Sequence, residues 1–203
     1  MKIIGLNGLP GAGKDTVADH LVAKHGFTKR GFADPLYEEV AQAFDVTVDW
    51  LRDRTRKELV QPELMLNNAL VREPEFVYLM RDAGVPPNRF LSPRQVLQQW
   101  GTEYRRAQNG NYWIDQMVNF LESRPVVVIP DCRFLNEADL VRDLGGTLVR
   151  VVRPSTTGSP HASDAPFPAE RYDAEIHNYG GIPGLLLAAD FIATNYTDGR
   201  IVQ

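Results

Sequence analysis

One segment constrains this 203-residue chain more than any other. Lys2 to Leu6 is a short apolar run of the kind buried strands show, and Gly8-Leu-Pro-Gly-Ala-Gly-Lys14-Asp15-Thr16 follows it. Val17, Ala18, Leu21 and Val22 then recur on one face of a helix. A strand, a glycine-rich loop and a helix in that order form the unit that wraps a phosphate chain. Its glycines let successive backbone N–H groups turn inward around anionic oxygens. The helix N-terminus adds the positive end of its dipole, and Lys14 a point charge able to reach the outer phosphates. The competing reading, a glycine-rich turn with a surface lysine, does not account for the strand before it and the amphipathic helix after it. The motif therefore predicts a nucleotide site. Asp15 stands where a hydroxyl usually follows the lysine, and Thr16 comes one place later. A magnesium ion is accordingly expected to be held mainly through water and nucleotide phosphates, near Asp15, Thr16 and Asp131.

The remaining pattern extends this unit into an α/β chain. A second strand is predicted over 27–32, and Pro35 opens a helix running to about Phe44. Residues 45–91 are helical in flavour but broken by Pro62, Pro74 and Pro86-Pro87, and read as an insertion or lid-like subregion, not a separate domain. Ser92-Pro93 starts a helix expected to reach about Arg106, and another covers 112–122. Val126 to Ile129 is a continuous β-branched run, the mark of a strand covered on both faces. A helix with Phe134, Leu135, Ala138, Val141 and Leu144 follows and stops at Gly145-Gly146. Strands are predicted over 147–152 and 174–178, with a last helix from about Ile182. The Pro/Ser/Thr/Gly-rich stretch 154–168 reads as a mobile loop and short lid. Alternating strands and helices predict a mostly parallel, five-stranded sheet with helices on both faces, within a single domain spanning 1–203.

Composition narrows the function classes. Lys and Arg number 22 against 26 Asp and Glu, a formal charge of −4, which argues against a protein that coats nucleic acid. Apolar residues at 43% and charged residues at 24% argue against wholesale disorder. No apolar run approaches a membrane span, and the start MKIIGLNG does not resemble a signal peptide. The single cysteine, Cys132, excludes an internal disulfide and a cysteine-built zinc site, and fits a reducing compartment. A cytoplasmic protein without stable nucleic-acid or membrane partners is expected. A homodimer stays open.

A second anion site is suggested by the helix from Ser92. At 100° per residue Arg94, Gln98, Gly101 and Arg105 share a stripe, opposite Val96, Leu97, Trp100 and Tyr104. Two guanidinium groups suit a phosphate, the amide suits a base edge, and the glycine permits close approach. A solvated helix face is the alternative. Asp131 ends the third strong strand, where open parallel sheets place their ligands. Arg133 and Glu137 lie one turn apart beyond it, and Arg153 leaves the next strand. Arginines at such loops can neutralise a transferring phosphoryl group; structural salt bridges are the competing explanation. His161 in the predicted lid, Cys132, Trp100 and the basic cluster Arg52, Arg54, Arg56 and Lys57 are read as non-catalytic.

Taken together, GLPGAGKDT, Phe32-Ala-Asp34-Pro-Leu, Ser92-Pro-Arg-Gln-Val-Leu-Gln-Gln-Trp-Gly-Thr-Glu103 and Asp131-Cys-Arg-Phe-Leu-Asn-Glu137 resemble segments of phage-type deoxynucleoside monophosphate kinases. His161-Ala-Ser-Asp164 and Asp173-Ala-Glu-Ile-His-Asn178-Tyr-Gly180 extend the resemblance over nearly the whole chain. It implies a P-loop NTPase three-layer fold of the nucleoside monophosphate kinase kind. The implied reaction is phosphorylation of deoxynucleoside 5′-monophosphates to diphosphates by ATP and Mg2+, with in-line transfer. On this resemblance Gly11, Ala12, Gly13, Lys14, Asp15 and Thr16 hold ATP phosphates, with Asn178 and Tyr179 near the adenine. Phe32, Asp34, Arg94, Gln98, Arg105, Trp113, Asp131, Arg133 and Glu137 surround the deoxynucleotide, and Lys14, Arg133, Arg153 and Asp131 form the catalytic set. Pro10-Gly11, Tyr37 and Asp164 depart from the family pattern and bear on base preference and acceptor contacts. Two other readings stay open: a P-loop kinase for another small phosphorylated metabolite, and a non-enzymatic nucleotide-dependent switch.

Overall fold

The computed structural model describes residues 1–154, 167–197 and 200–201. In chain order it contains β1 (Lys2–Asn7), α1 (Lys14–His25), β2 (Thr28–Lys29), α2 (Asp34–Phe44), α3 (Val48–Arg52), β3 (Gln61–Met65), α4 (Pro74–Asp82), β4 (Phe90–Leu91) and α5 (Pro93–Gln98). After a π-helical stretch Gln99–Arg106 come α6 (Tyr112–Leu121), β5 (Val126–Ile129), α7 (Leu135–Asp143), β6 (Thr147–Val152), β7 (Ala174–His177), α8 (Ile182–Asn195), β8 (Tyr196–Thr197) and β9 (Arg200–Ile201). Single 3-10 turns occupy Leu66–Ala69 and Ala169–Arg171. Two compact units divide the chain: Met1–Phe32 with Ile114–Gln203, and Ala33–Trp113.

The first unit is built on strands whose consecutive side chains point to opposite sides, so an unbroken apolar strand must be covered twice. Its sheet has the order β2-β5-β1-β6-β7, parallel throughout. Ile4, Leu6, Val128, Val149 and Val151 face one way, against Val17, Ala18 and Leu21 of α1 and Leu185, Ala189 and Ile192 of α8. Ile3, Val127, Ile129 and Leu148 face the other, against Met117 and Leu121 of α6 and Ala138 and Val141 of α7. Each buried Val, Leu, Ile or Met side chain among them contributes about 1.5–3 kcal/mol. The result is the three-layer α/β arrangement expected from the strand pattern. Edge strand β2 is shorter than the predicted 27–32. Phe27 and Phe32 are drawn into opposite cores, and after Arg30 N–H donates to Val128 O at 3.1 Å the chain turns away.

The second unit departs most from expectation. The stretch 45–91 carries an antiparallel pairing of β3 with β4, irregular in register between Gln61 and Met65. Of Gln61-Pro-Glu-Leu-Met65 only Leu64 is buried, so no alternation marks it as a strand. Its partner lies 25 residues or more along the chain. Of the prolines read as breaks, Pro74 in fact opens a helix, α4, while Pro62 lies within β3 and Pro86-Pro87 precede β4; Pro35 and Pro93 open α2 and α5 as expected. Phe44, Phe76, Trp100 and Tyr104 fill the core, with Phe76 and Trp100 rings 4.6 Å apart. The helix from Ser92 also changes character. Its start is a capping box, Ser92 Oγ accepting from Gln95 N–H and Gln95 Oε1 from Ser92 N–H. From Gln99 it winds as a π-helix, whose i→i+5 bonds turn the chain by less per residue than an α-helix. The expected lid falls almost entirely on 155–166, outside the described residues, and so do His161 and Asp164.

Candidate active site

The glycine-rich loop after β1 sits in the first unit, at the carboxyl end of that strand and flanked by β5 and β6. Asn7 ends the strand, buried, its Nδ2 donating to Cys132 O at 2.8 Å and its Oδ1 accepting from Tyr172 Oη at 2.7 Å. Gly8, Gly11 and Gly13 take φ values of +145°, +80° and +112°, conformations that side chains disfavour. A Cβ on Gly8 would stand 2.3 Å from Val151 O, so the loop lies directly against β6. Lys14 folds back over the loop and donates to Gly8 O at 2.5 Å and Leu9 O at 3.0 Å. That geometry puts an ammonium over a ring of backbone at the N-terminus of α1, a ready site for phosphate oxygens. Asn178 Nδ2 donates to Ala12 O at 3.0 Å, and Arg153 reaches Gly11 O at 3.4 Å. Gly11, Ala12, Gly13, Lys14, Asn178 and Arg153 are thus assembled around one loop.

Asp15 and Thr16 open α1. The Asp15 carboxylate is exposed and pairs with Lys29, which also holds Asp19 at 2.9 Å. Burial alone would lower the Lys29 pKa, but these two carboxylates outweigh it and raise it. Tyr179 is exposed, its ring stacked on His177 at 5.0 Å.

Asp131 lies two residues past the end of β5. Its Oδ1 accepts the Phe32 N–H at 2.8 Å, and a Cβ on Gly31 would come within 2.7 Å of its Oδ2. Phe32 itself is buried in the core beneath α6 and α7. Arg133 has an exposed side chain, as a phosphate ligand requires. Glu137 is 2% exposed, and its Oε2 accepts the backbone N–H groups of Arg133 at 2.7 Å and Phe134 at 3.1 Å. It caps α7 at the end where the helix dipole favours an anion. Cys132 is fully buried, and burial with the nearby Glu137 and Asp131 charges pushes its thiol pKa up, as suits an inert thiol.

The second unit carries Asp34, Arg94, Gln98, Arg105 and Trp113. Arg94 is partly exposed and pairs with Glu58 at 2.6 Å. Arg105 falls within the π-helical stretch and is engaged inside the second unit. It is held by Glu39 at 2.8 Å and Glu73 at 3.2 Å, with its guanidinium over the rings of Tyr104, Tyr112 and Trp100. Glu39 also accepts Trp100 Nε1–H at 2.8 Å and Tyr112 Oη–H at 2.5 Å. Burial, and then the Glu39 hydrogen bond, push the Tyr112 phenol up to about 12. Gly101, expected to give a ligand close approach, instead admits Leu36 of α2, which a Cβ would meet at 3.1 Å. Gln98 is half-buried, while Trp113 is buried with its Nε1 donating to Gly101 O at 3.2 Å. Asp34 pairs at 2.5 Å with Arg52, a member of the basic cluster read as non-catalytic. Arg52, Glu39 and Glu73 were missed because nothing local marks them: Glu39 lies 66 residues before Arg105.

No family model matches the chain. The chain is 29% identical to the deoxynucleoside-5′-monophosphate kinase of Escherichia phage T5, over 91% of its own length and 93% of the relative's. It is 25% identical to the deoxynucleotide monophosphate kinase of Enterobacteria phage T4, over 91% and 95%. The chain is similar to phage-type deoxynucleoside monophosphate kinases. A protein of Acanthamoeba polyphaga mimivirus, provisionally named for the same activity, is 28% identical over 88% of this chain and 86% of its own. These relatives bear out the resemblance carried by the motifs, over nearly the whole chain. No helix among the described residues is long and apolar enough to cross a membrane.

Proposed function

We propose that this protein is a kinase transferring the γ-phosphoryl group of ATP to the 5′-phosphate of a deoxynucleoside monophosphate, giving ADP and the diphosphate. The observation that carries the reading is the loop at the end of β1, with three positive-φ glycines and the Lys14 ammonium folded over them. The names of relatives aligned along about nine tenths of the chain narrow the acceptor to a deoxynucleotide. Within the proposal, Gly11 to Thr16 cradle the ATP phosphates, and Asn178 and Tyr179 lie on the adenine side. Arg94, with Gln98 and Asp34, takes the deoxynucleotide, and Arg153 and Arg133 meet charge on the transferring group. Arg105, Glu137, Phe32 and Trp113 support their neighbours from within the protein, since their polar atoms or rings are already engaged there.

Transfer between two polyanions is governed by positioning and charge neutralisation, so no covalent enzyme intermediate is called for. The acceptor phosphate is ionised at neutral pH and needs no strong base. Thr16 and Asp131 offer the oxygen-only donors that suit a hard cation, with Asp15 able to join through water once it releases Lys29. A Mg2+ ion held by them would neutralise phosphate charge.

The test is coupled detection of ADP with Mg-ATP and a panel of deoxynucleoside monophosphates. ADP release stimulated by at least one of them is expected. Release no faster than with ATP alone for every member of the panel sinks the reading.

A further inference from the structure

On the first unit, α1 and α8 meet through three ionisable ligand-type side chains that the phosphoryl-transfer reading does not use. Asp190 Oδ1 stands 2.7 Å from His20 Nε2 and 2.8 Å from His25 Nε2, while Lys24 Nζ holds Asp190 Oδ2 at 2.7 Å. The three potential ligand atoms lie within 4.8 Å of one another. Each group keeps some contact with solvent, with side-chain exposures of 17%, 23% and 22% for His20, His25 and Asp190. We propose that His20, His25 and Asp190 form a binding site for a divalent transition metal of the zinc class, completed by water.

The chemistry of the set argues for such an ion over magnesium or calcium. Two imidazole nitrogens with one carboxylate oxygen suit zinc and its first-row neighbours, whereas hard cations take oxygens. Ligand atoms around one tetrahedral zinc stand roughly 3.4 Å apart, given metal–ligand bonds of about 2.0–2.2 Å. The observed His–Asp separations therefore have to open by only about 0.6–0.7 Å, within reach of side-chain rotation. Lys24, His25 and His20, in that order, already hold the Asp190 carboxyl well below the usual carboxylate range, so the anionic ligand is present at neutral pH. The Lys24 ammonium opposes an incoming cation, but its side chain is 56% exposed and can swing into solvent. Six residues of α1 separate Lys14 from His20, about 9 Å along the axis, which sets this site apart from the phosphate loop. A bound ion would fasten α1, which carries the loop at its start, to α8, whose Leu185 a Cβ on Gly13 would meet at 2.9 Å.

The test is titration of the metal-stripped full chain with ZnCl2 in the absence of nucleotide, by calorimetry and thermal unfolding. One equivalent is expected to bind, and Tm to rise by about 5–10 °C at a hundredfold excess over Kd. Co2+ should give the visible absorption of a tetrahedral site. His25→Gln and Asp190→Asn should each weaken binding by more than about tenfold, and Lys24→Gln should tighten it. Circular dichroism verifies that each variant is folded, and His25→Gln carries the comparison if Asp190→Asn is not. Absence of stoichiometric zinc binding by the parent chain overturns the proposal. So does binding undiminished in His25→Gln, which would move the ion to other surface groups such as His177 and Glu175.

Discussion

Lys14 and Arg105 are both cations among backbone or acidic oxygens, yet substitution should affect them in opposite ways. Lys14 donates to the carbonyls of Gly8 and Leu9 in the glycine-rich loop, outside the apolar clusters that form the core. Lys14→Ala is expected to lower turnover at least about 100-fold with Tm changed by little; steady-state kinetics beside thermal unfolding will check this. Arg105 is 16% exposed and bridges Glu39 and Glu73. Arg105→Ala leaves two carboxylates half-buried without their cation, and should cost about 3 kcal/mol in urea unfolding. Retained stability with a raised acceptor KM would instead mark Arg105 as a ligand contact. Lys14 was legible in the sequence because its motif is local and its loop geometry follows from adjacent glycines. The Arg105 partners were not, because ion pairs across 32 and 66 residues leave no trace in spacing.

At the level of elements, the loop and the start of α7 each depend on a backbone feature. Gly8 has φ +145° and no room for a Cβ beside Val151 O. Gly8→Ala should displace the loop from β6 and lower ATP affinity more than about tenfold, measured by nucleotide titration. Glu137 caps α7 from a buried position, so Glu137→Ala should cost about 1–2 kcal/mol of stability, read in denaturant unfolding. An unchanged stability with lost deoxynucleotide binding would return it to the ligand. The strands β1, β5, β6 and β7 were readable to within a residue or so because apolar runs and flanking glycines and prolines bound them. β3 was not, since Gln61-Pro-Glu-Leu-Met65 has one buried side chain and owes its conformation to pairing with Phe90–Leu91. The π-helical turn at Gln99–Arg106 was equally hidden. Two arginines that share an α-periodic stripe on paper take different acidic partners, Glu58 for Arg94 and Glu39 with Glu73 for Arg105.

For the whole molecule, acid stability should carry a signature of the α1–α8 contact. The Asp190 carboxyl is depressed below its ordinary value of 3.8 by Lys24, His25 and His20. A depressed carboxylate contributes stability in full above its unfolded pKa and loses it as pH falls through the folded one. Metal-free protein should therefore lose stability below pH 3.8 more steeply than Asp190→Asn, in Tm measured from pH 5 downward. Parallel curves for the two would remove that role. The sequence by itself determined the sheet, the glycine-rich turn after β1 and the kinase resemblance, because each rests on contiguous residues: periodicity, turn chemistry and motif act over a few positions. Tertiary structure alone decided that residues 33–113 form a compact unit, that Arg105 is the cation held by Glu39 and Glu73, and that Lys24 is the one held by Asp190. Those outcomes depend on packing between segments far apart in the chain, where burial and charge neutralisation select partners that no local pattern encodes.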